Sequence, residues 1–265
     1  MSSIKIYRNC PPTSGGDIVL YSSSPANAGR RLVFVNGIWN TPADHATACN
    51  NLCTKTSCDV IGVYNQFGIG LSAGDYCFEE KLCRKAFDGV FDIGQSASDW
   101  VGVGLRALAG QLGLDSIVSR IGLMNGCSAR LLSLLRKYGS CWPNTPLCIV
   151  AHSQGNLITS NALMVYSAMA RTYKFPQAKI HVFAVASPAV SWPTDPVNIS
   201  VDPYLHRWDP VTAVSMFRNM RGIDKGQGSV TDLSMQHELK SYLDDRKLVN
   251  AICAKVGTTS PFLKK

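Results

Sequence analysis

Short apolar runs alternate with longer amphipathic stretches along this chain, and the alternation predicts an α/β fold with a mostly parallel central sheet and helices on both faces. The predicted strands span residues 17–21, 30–35, 59–64, 146–152, 179–185 and 204–208. One predicted helix opens at Thr41-Pro42, with Thr41 as its N-cap. The other predicted helices are two within 100–138, which break near 110–113 and at 126, then one at 156–173 and one at 238–254. Ligands bind such sheets at the carboxyl ends of the strands, so functional residues are expected just after them.

Chain length and hydrophobic content favour one large domain. A chain of 265 residues, 46% of them hydrophobic, can bury a full core, so we expect one domain over residues 1–265. The connection before the strand at 146–152 is far longer than the roughly one dozen residues that a crossover needs. Residues 66–140 are therefore predicted to form a lid-like or cap-like insertion, with an ordinary packed insertion as the alternative.

The net charge of +8 would suit an anionic partner, either a membrane surface or a nucleic acid. The basic residues are scattered and no nucleic-acid-binding motif is visible, so no nucleic-acid partner is predicted. Neither a signal peptide nor a transmembrane segment is apparent, and we expect a cytoplasmic chain, or one exported by a signal-peptide-independent route. The 10 cysteines are then expected to be reduced thiols.

One face of the first predicted helix carries His45, Cys49 and Cys53, which recur at every fourth position. A zinc site is conceivable there. The spacing lacks a paired Cys-x-x-Cys motif, however, and cysteine is also a common small core residue. The sequence therefore predicts no metal site and no cofactor.

The segment 146–158 combines a buried strand, a sharp turn at Ser153 and a helix. This is the layout of a nucleophile elbow, which presents a serine hydroxyl at the end of a sheet. Each residue has a simpler interpretation: Ser153 could be an ordinary helix N-cap, and Gly155 could merely allow close packing between helix and strand. The strand before the turn and the helix after it favour Ser153 as a nucleophile.

A serine nucleophile needs a base within hydrogen-bond reach, and that base needs an orienting acid. Asp209 follows the predicted strand 204–208, in the order Ser, Asp, His that this architecture uses. Asp195 and Asp202 are rivals, and each is also followed by proline. Because proline is unlikely inside a central strand, Pro203 favours a strand that starts after it and hence Asp209 as the acid.

His237 is the predicted base, because it follows a polar loop and opens the closing helix. His152 directly precedes the nucleophile and cannot easily turn back to it. His181 and His206 fall inside predicted strands, where a structural histidine is the better interpretation.

An oxyanion hole requires backbone N–H donors aimed at the developing negative charge. The amide of Gln154, at a helix N-terminus, is one predicted donor, and the amide of Ile38 is the other. Gly37 and Trp39, beside Ile38, are predicted to contact the substrate, although Gly37 could be a plain turn and Trp39 a core residue.

These residues resemble the α/β-hydrolase superfamily, in its lipase and esterase branch, over about residues 30–243. The resemblance implies that Ser153 is the nucleophile, Asp209 the acid and His237 the base, and that residues 35–38 form the oxyanion loop. Two positions depart from the family pattern: Ala151 stands where the elbow usually has glycine, and Asn36 where many members have histidine. The second departure concerns the hydrogen bonding of the oxyanion loop.

The sequence thus leads to the expectation of a serine hydrolase that cleaves carboxylic esters, most of all lipid acyl esters, through an acyl-enzyme. The expected partner is a small-molecule or lipid ester, with peripheral contact to an anionic membrane, and the chain is also similar to bacterial lipase-type effectors. Two alternatives stay open: a thioesterase or protein-ester hydrolase with the same triad, and a catalytically silent binding module on the hydrolase fold.

Overall fold

The computed structural model describes residues 6–8, 18–21, 31–37, 40–65, 126–141, 146–173, 179–189, 192–193, 198–205, 209 and 238–263. The strands are β1 Ile6–Arg8, β2 Ile18–Tyr21, β3 Arg31–Val35, β4 Asp59–Val63, β5 Leu147–His152, β6 Ile180–Val185 and β7 Ile199–Tyr204. The helices are α1 Pro42–Thr56, α2 Gly126–Cys141, α3 Gly155–Tyr173, α4 Leu239–Leu243 and α5 Arg246–Val256, and a short 3₁₀ helix spans Pro261–Leu263.

The described strands form one sheet in the order β1-β2-β4-β3-β5-β6-β7. β4, β3, β5, β6 and β7 run parallel to one another, β2 is antiparallel to β4, and β1 is parallel to β2. The carboxyl ends of β3, β4 and β5 therefore lie side by side at one edge of the sheet. This arrangement confirms the predicted α/β class with a mostly parallel sheet.

Helices cover both faces of the sheet. α2 and α3 pack on one face, where Val33 and Val35 contribute to the apolar cluster. α1, α4 and α5 pack on the other face, with Leu32 and Phe34. Because successive side chains of a strand point to opposite faces, β3 must be apolar at every one of these positions. This explains the continuous apolar run that identifies β3 in the sequence.

The start of α1 agrees with its prediction. The Thr41 side chain accepts a hydrogen bond from the Asp44 amide (3.1 Å), and the Asp44 carboxylate accepts one from the Thr41 amide (2.9 Å). This reciprocal pair is a capping box, and Pro42 follows in the first turn, where its missing N–H leaves no helical bond unmade. Because α1 begins at Pro42, the connection from β3 ends at Thr41.

Two predicted elements are wrong. β7 spans Ile199–Tyr204, so Pro203 lies within a strand that was expected to start after it, and residues 206–208 of the predicted strand lie outside the described residues. The closing helix predicted at 238–254 is divided into α4 and α5, because Asp245 caps a new helix by accepting a hydrogen bond from the Lys247 amide (2.8 Å).

The predicted insertion at 66–140 is described only from residue 126, where α2 begins. Its remaining part lies outside the described residues. Among the helices that the structure describes, none has both the length and the apolar character to cross a bilayer.

Candidate active site

Ser153 lies in a sharp turn between β5 and α3. Its φ of 53° is in the left-handed region, which non-glycine residues rarely adopt. Such a conformation costs about 1–3 kcal/mol and persists only where the surrounding structure holds it. The observed strand, strained turn and helix match the geometry that the sequence predicts for this segment.

Hydrogen bonds on both sides hold the strained turn. The Ser153 amide donates to the Val185 carbonyl at the end of β6 (3.0 Å), and the Ser153 carbonyl accepts from the Asn156 amide (3.0 Å). The Asn156 side-chain amide also donates to the carbonyls of Ser153 (2.9 Å) and Val185 (2.8 Å). Asn156 was missed by the sequence reasoning, although a fully buried asparagine in the first turn of a helix must find polar partners.

Two glycines near Ser153 allow close contacts between the segments that surround it. A Cβ on Gly155 would lie 2.4 Å from the Val35 carbonyl oxygen, so glycine allows the N-terminus of α3 to contact the end of β3. A Cβ on Gly37 would lie 2.6 Å from the Ser153 Cβ and 3.2 Å from its Oγ. Gly155 thus has the packing role that the simpler interpretation assigned to it, and Gly37 lies directly against the serine.

A network of side-chain amides connects three neighbouring strand ends. The Asn36 side chain, after β3, donates to the carbonyls of Gly37 (2.8 Å) and Asn65 (3.1 Å) and accepts from the Asn65 amide (2.7 Å). Asn65, after β4, donates from its side chain to the Gln154 Oε1 atom (3.0 Å). The Asn36 side chain therefore fastens the segment after β3 to the end of β4. Asn65 was missed, because a lone asparagine after a strand is an ordinary turn signal.

Asp209 is buried, at 2% exposure, and its Oδ2 atom accepts a hydrogen bond from the Tyr242 hydroxyl (2.6 Å). The Tyr242 ring in turn contacts the His152 ring edge-on, with centroids 6.3 Å apart. Tyr242 thereby connects Asp209 to the end of β5, immediately before Ser153. It was also missed, since nothing in the sequence distinguishes it from a core tyrosine of α4.

The rival residues Asp202 and His181 contact each other on neighbouring strands. His181 Nε2 lies 3.0 Å from Asp202 Oδ2, and its Nδ1 lies 2.5 Å from the Ser200 hydroxyl. Burial lowers the pKa of His181, Asp202 opposes that shift, and Lys255 adds to it. A neutral ring satisfies both contacts when Nε2–H donates to Asp202 and Nδ1 accepts from Ser200. Both ring nitrogens of His181 therefore have partners, which agrees with the structural interpretation of this histidine.

His45 and Cys49 lie in contact on α1, with 3.6 Å between Nε2 and Sγ. Gly62 makes room for them, since a Cβ there would lie 2.4 Å from the His45 Nε2 atom. Burial lowers the pKa of His45 to about 3. Cys53 instead directs its thiol to the Tyr21 carbonyl oxygen (3.2 Å). Within the described ranges, no three His, Cys, Asp or Glu side chains are grouped to hold a metal ion.

The structure thus brings Ser153, Gly37 and Gln154 together at one edge of the sheet, and Tyr242 connects this edge to Asp209. Ile38, Trp39 and His237 lie outside the described residues, and their predicted roles stay predictions. Comparisons of the chain with family models, with curated proteins and with solved structures found no match.

Proposed function

We propose that this protein is a serine hydrolase of the α/β-hydrolase type that cleaves carboxylic esters. The observation that carries the proposal is the strained Ser153, at φ 53° between a buried parallel strand and a helix. A left-handed serine at a strand-to-helix turn is the defining geometry of a nucleophile elbow. The close approach of Gly37 to the Ser153 side chain adds support, because it puts the segment after β3 beside the proposed nucleophile.

The positions of the predicted oxyanion donors also support the proposal. In α/β-hydrolases one donor is the amide after the nucleophile, and the other comes from the connection between the third strand and its helix. Gln154 directly follows Ser153, and residues 36–41 connect β3 to α1. The first amides of a helix have no intrahelical partner and lie at the positive end of its dipole, so the start of α3 suits a developing negative charge.

The proposed reaction has two steps. Ser153 Oγ attacks the ester carbonyl carbon while His237 takes the hydroxyl proton, and the resulting oxyanion collapses to an acyl-enzyme as His237 protonates the departing alcohol. Water then attacks the acyl-enzyme, His237 accepts its proton, and the carboxylic acid leaves as the proton returns to Ser153. Asp209 orients His237 and stabilises its protonated form.

Lipid acyl esters are the proposed substrate class. The net charge of +8 favours approach to an anionic membrane surface, where such esters are found. A direct test compares a water-soluble short-chain ester with a long-chain ester and a phospholipid in anionic vesicles. Preference for the vesicle substrate supports the lipid class, whereas preference for the short-chain ester restricts the proposal to an esterase.

The first test of the nucleophile is intact-mass spectrometry after incubation with a fluorophosphonate. We expect one adduct on the wild-type protein and none on Ser153→Ala. Hydrolysis by Ser153→Ala should fall by several powers of ten, with about 10³–10⁴-fold catalysis over water left from the oxyanion hole and binding.

Ser200→Ala is the matched control, because Ser200 also contacts a histidine but lies in the regular strand β7. It should keep both the adduct and the activity. A folded wild-type protein that forms no adduct and hydrolyses no ester would contradict the proposal. That result would favour the alternative of a catalytically silent binding module on the hydrolase fold.

A further inference from the structure

We propose that Asn65 is a positioning residue that holds Gln154, whose amide is a predicted oxyanion donor, in register with Ser153. The inference rests on the proposed function, since it concerns the same site. Asn65 follows β4 and bonds both to the segment after β3 and to the residue after the nucleophile.

Toward β3, the bonds are between the Asn65 backbone and the Asn36 side chain. Asn36 accepts from the Asn65 amide, donates back to the Asn65 carbonyl, and also donates to the Gly37 carbonyl oxygen. These bonds anchor the Asn65 backbone to the segment after β3 and so fix the point from which its side chain reaches Gln154.

Toward β5, the bond is between two side chains. Asn65 Nδ2 donates to Gln154 Oε1 over 3.0 Å, and this contact restrains the residue whose backbone amide is the first predicted donor. Asn36, Asn65 and Gln154 are all buried, at 0%, 3% and 2% exposure. Hydrogen bonds in so buried a place are stronger than in water, and leaving one partner unpaired carries a larger penalty.

If the contact between Asn65 and Gln154 served only stability, it would not need to be polar. The strand ends already pack through apolar neighbours, and Gln154 Nε2 is buried without a hydrogen-bond partner among the described residues. A buried, unpaired donor next to a strained serine calls for an explanation beyond stability. Preorganisation of the Gln154 amide is that explanation, because a donor fixed in advance needs no reorganisation as charge develops.

The test removes the Asn65–Gln154 bond from either end. Asn65→Leu keeps the size of the side chain and leaves its backbone bonds to Asn36 in place. Gln154→Met removes the other partner and keeps the backbone amide. Ser128→Ala is the matched control: it deletes a different buried hydrogen bond, from the Ser128 hydroxyl on α2 to the Ile158 carbonyl on α3 (3.3 Å). For each variant, and for the double variant, kcat, KM, fluorophosphonate labelling rate and melting temperature are measured.

We expect Asn65→Leu and Gln154→Met each to lower kcat about tenfold or more, because a displaced Gln154 amide stabilises the transition state poorly. KM should change by less than about threefold, since ground-state binding does not depend on the Gln154 amide. The double variant should be no slower than the slower single one, because both changes break the same bond. Ser128→Ala should lower the melting temperature and leave kcat unchanged.

The inference is overturned if Asn65→Leu keeps its kcat while its melting temperature falls as in Ser128→Ala, or if the effects of the two single variants multiply in the double one. Should Asn65→Leu fail to fold, Gln154→Met with unchanged kcat overturns it in the same way. A wild-type protein without adduct or hydrolysis contradicts the proposed function itself, and the inference then fails with it.

Discussion

At the scale of single residues, the buried Asp209 carboxylate is stabilised by a hydrogen bond from Tyr242. A buried charge is strongly destabilising unless donors surround it, and the Tyr242 hydroxyl supplies one at 2.6 Å. We expect Tyr242→Phe to lower the free energy of unfolding at pH 7 by about 1.5–3 kcal/mol, the range for hydrogen bonds to charged groups. Urea denaturation of both proteins measures the difference.

Tyr64→Phe is the control for this prediction. The Tyr64 hydroxyl also donates one hydrogen bond, but to a neutral acceptor, the Asn40 carbonyl (2.9 Å). Its loss should lower stability by only about 0.5–1.5 kcal/mol. Equal losses of stability in the two variants would show that Tyr242 does not stabilise a charged Asp209.

The residue scale also shows why the sequence predicts some of the site and not the rest. Ser153 is predictable because a local pattern of strand, small-residue turn and helix surrounds it. Asn65, Asn156 and Tyr242 acquire their roles through partners 29 to 89 positions away in the chain. No short-range pattern records such contacts, and they emerge only when the strands pair.

At the scale of elements, the break between α4 and α5 is explained by one cap. Asp245 adopts an extended backbone (φ −76°, ψ 118°) and accepts a hydrogen bond from the Lys247 amide, which starts α5 as a separate helix. Lys55, from α1, contacts both the Leu243 carbonyl and the Asp244 carboxylate at this break. The apolar periodicity of the sequence continues through both helices, so periodicity alone predicts a single helix.

We therefore expect Asp245→Ala to lower the free energy of unfolding by about 0.5–2 kcal/mol, the usual loss when a capping side chain is removed. Asp245→Asn is the control, since asparagine caps a helix about as well as aspartate. Thermal or urea unfolding measures both. An Asp245→Asn loss as large as that of Asp245→Ala would assign the effect to charge rather than to the cap.

β7 shows a second limit of pattern-based prediction at this scale. The rule that excludes proline applies to strands with a neighbour on each side. β7 pairs with β6 alone among the described strands, and Pro203 there lies opposite Ala184. Proline is compatible with such a position, and the sequence does not reveal which strand will lie at the end of the described order.

At the scale of the whole molecule, sheet topology predicts more than any single residue does. Parallel strands with their carboxyl ends side by side bring Asn36, Asn65 and Ser153 to one edge, although 117 positions separate the first from the last (153 − 36). The rule that ligands bind at this edge holds for the α/β class as such. The location of the candidate site follows from the fold, whereas its chemistry depends on the residues that the fold brings there.

The whole molecule should also lose stability in mild acid, because His45 is buried in neutral form. Burial lowers its folded-state pKa to about 3, whereas an unfolded histidine titrates near 6.5. Above pH 6.5 both states are neutral and His45 adds no pH dependence. Below it only the unfolded state gains the proton, so the free energy of unfolding should fall by up to about 1.4 kcal/mol per pH unit, down to about pH 3.

Urea unfolding of the wild-type protein and of His45→Leu, at several values between pH 4 and pH 7.5, tests this prediction. The leucine variant should show a shallower loss, because it removes the titrating group from both states. Cys49→Ala disturbs the same contact without this titration, since burial and the nearby Cys53 raise the pKa of the Cys49 thiol. It should shift the stability curve by the same amount at each pH and keep the wild-type slope. Equal slopes in His45→Leu and the wild-type protein would mean that the His45 site opens to water, and takes up its proton, well before the chain unfolds.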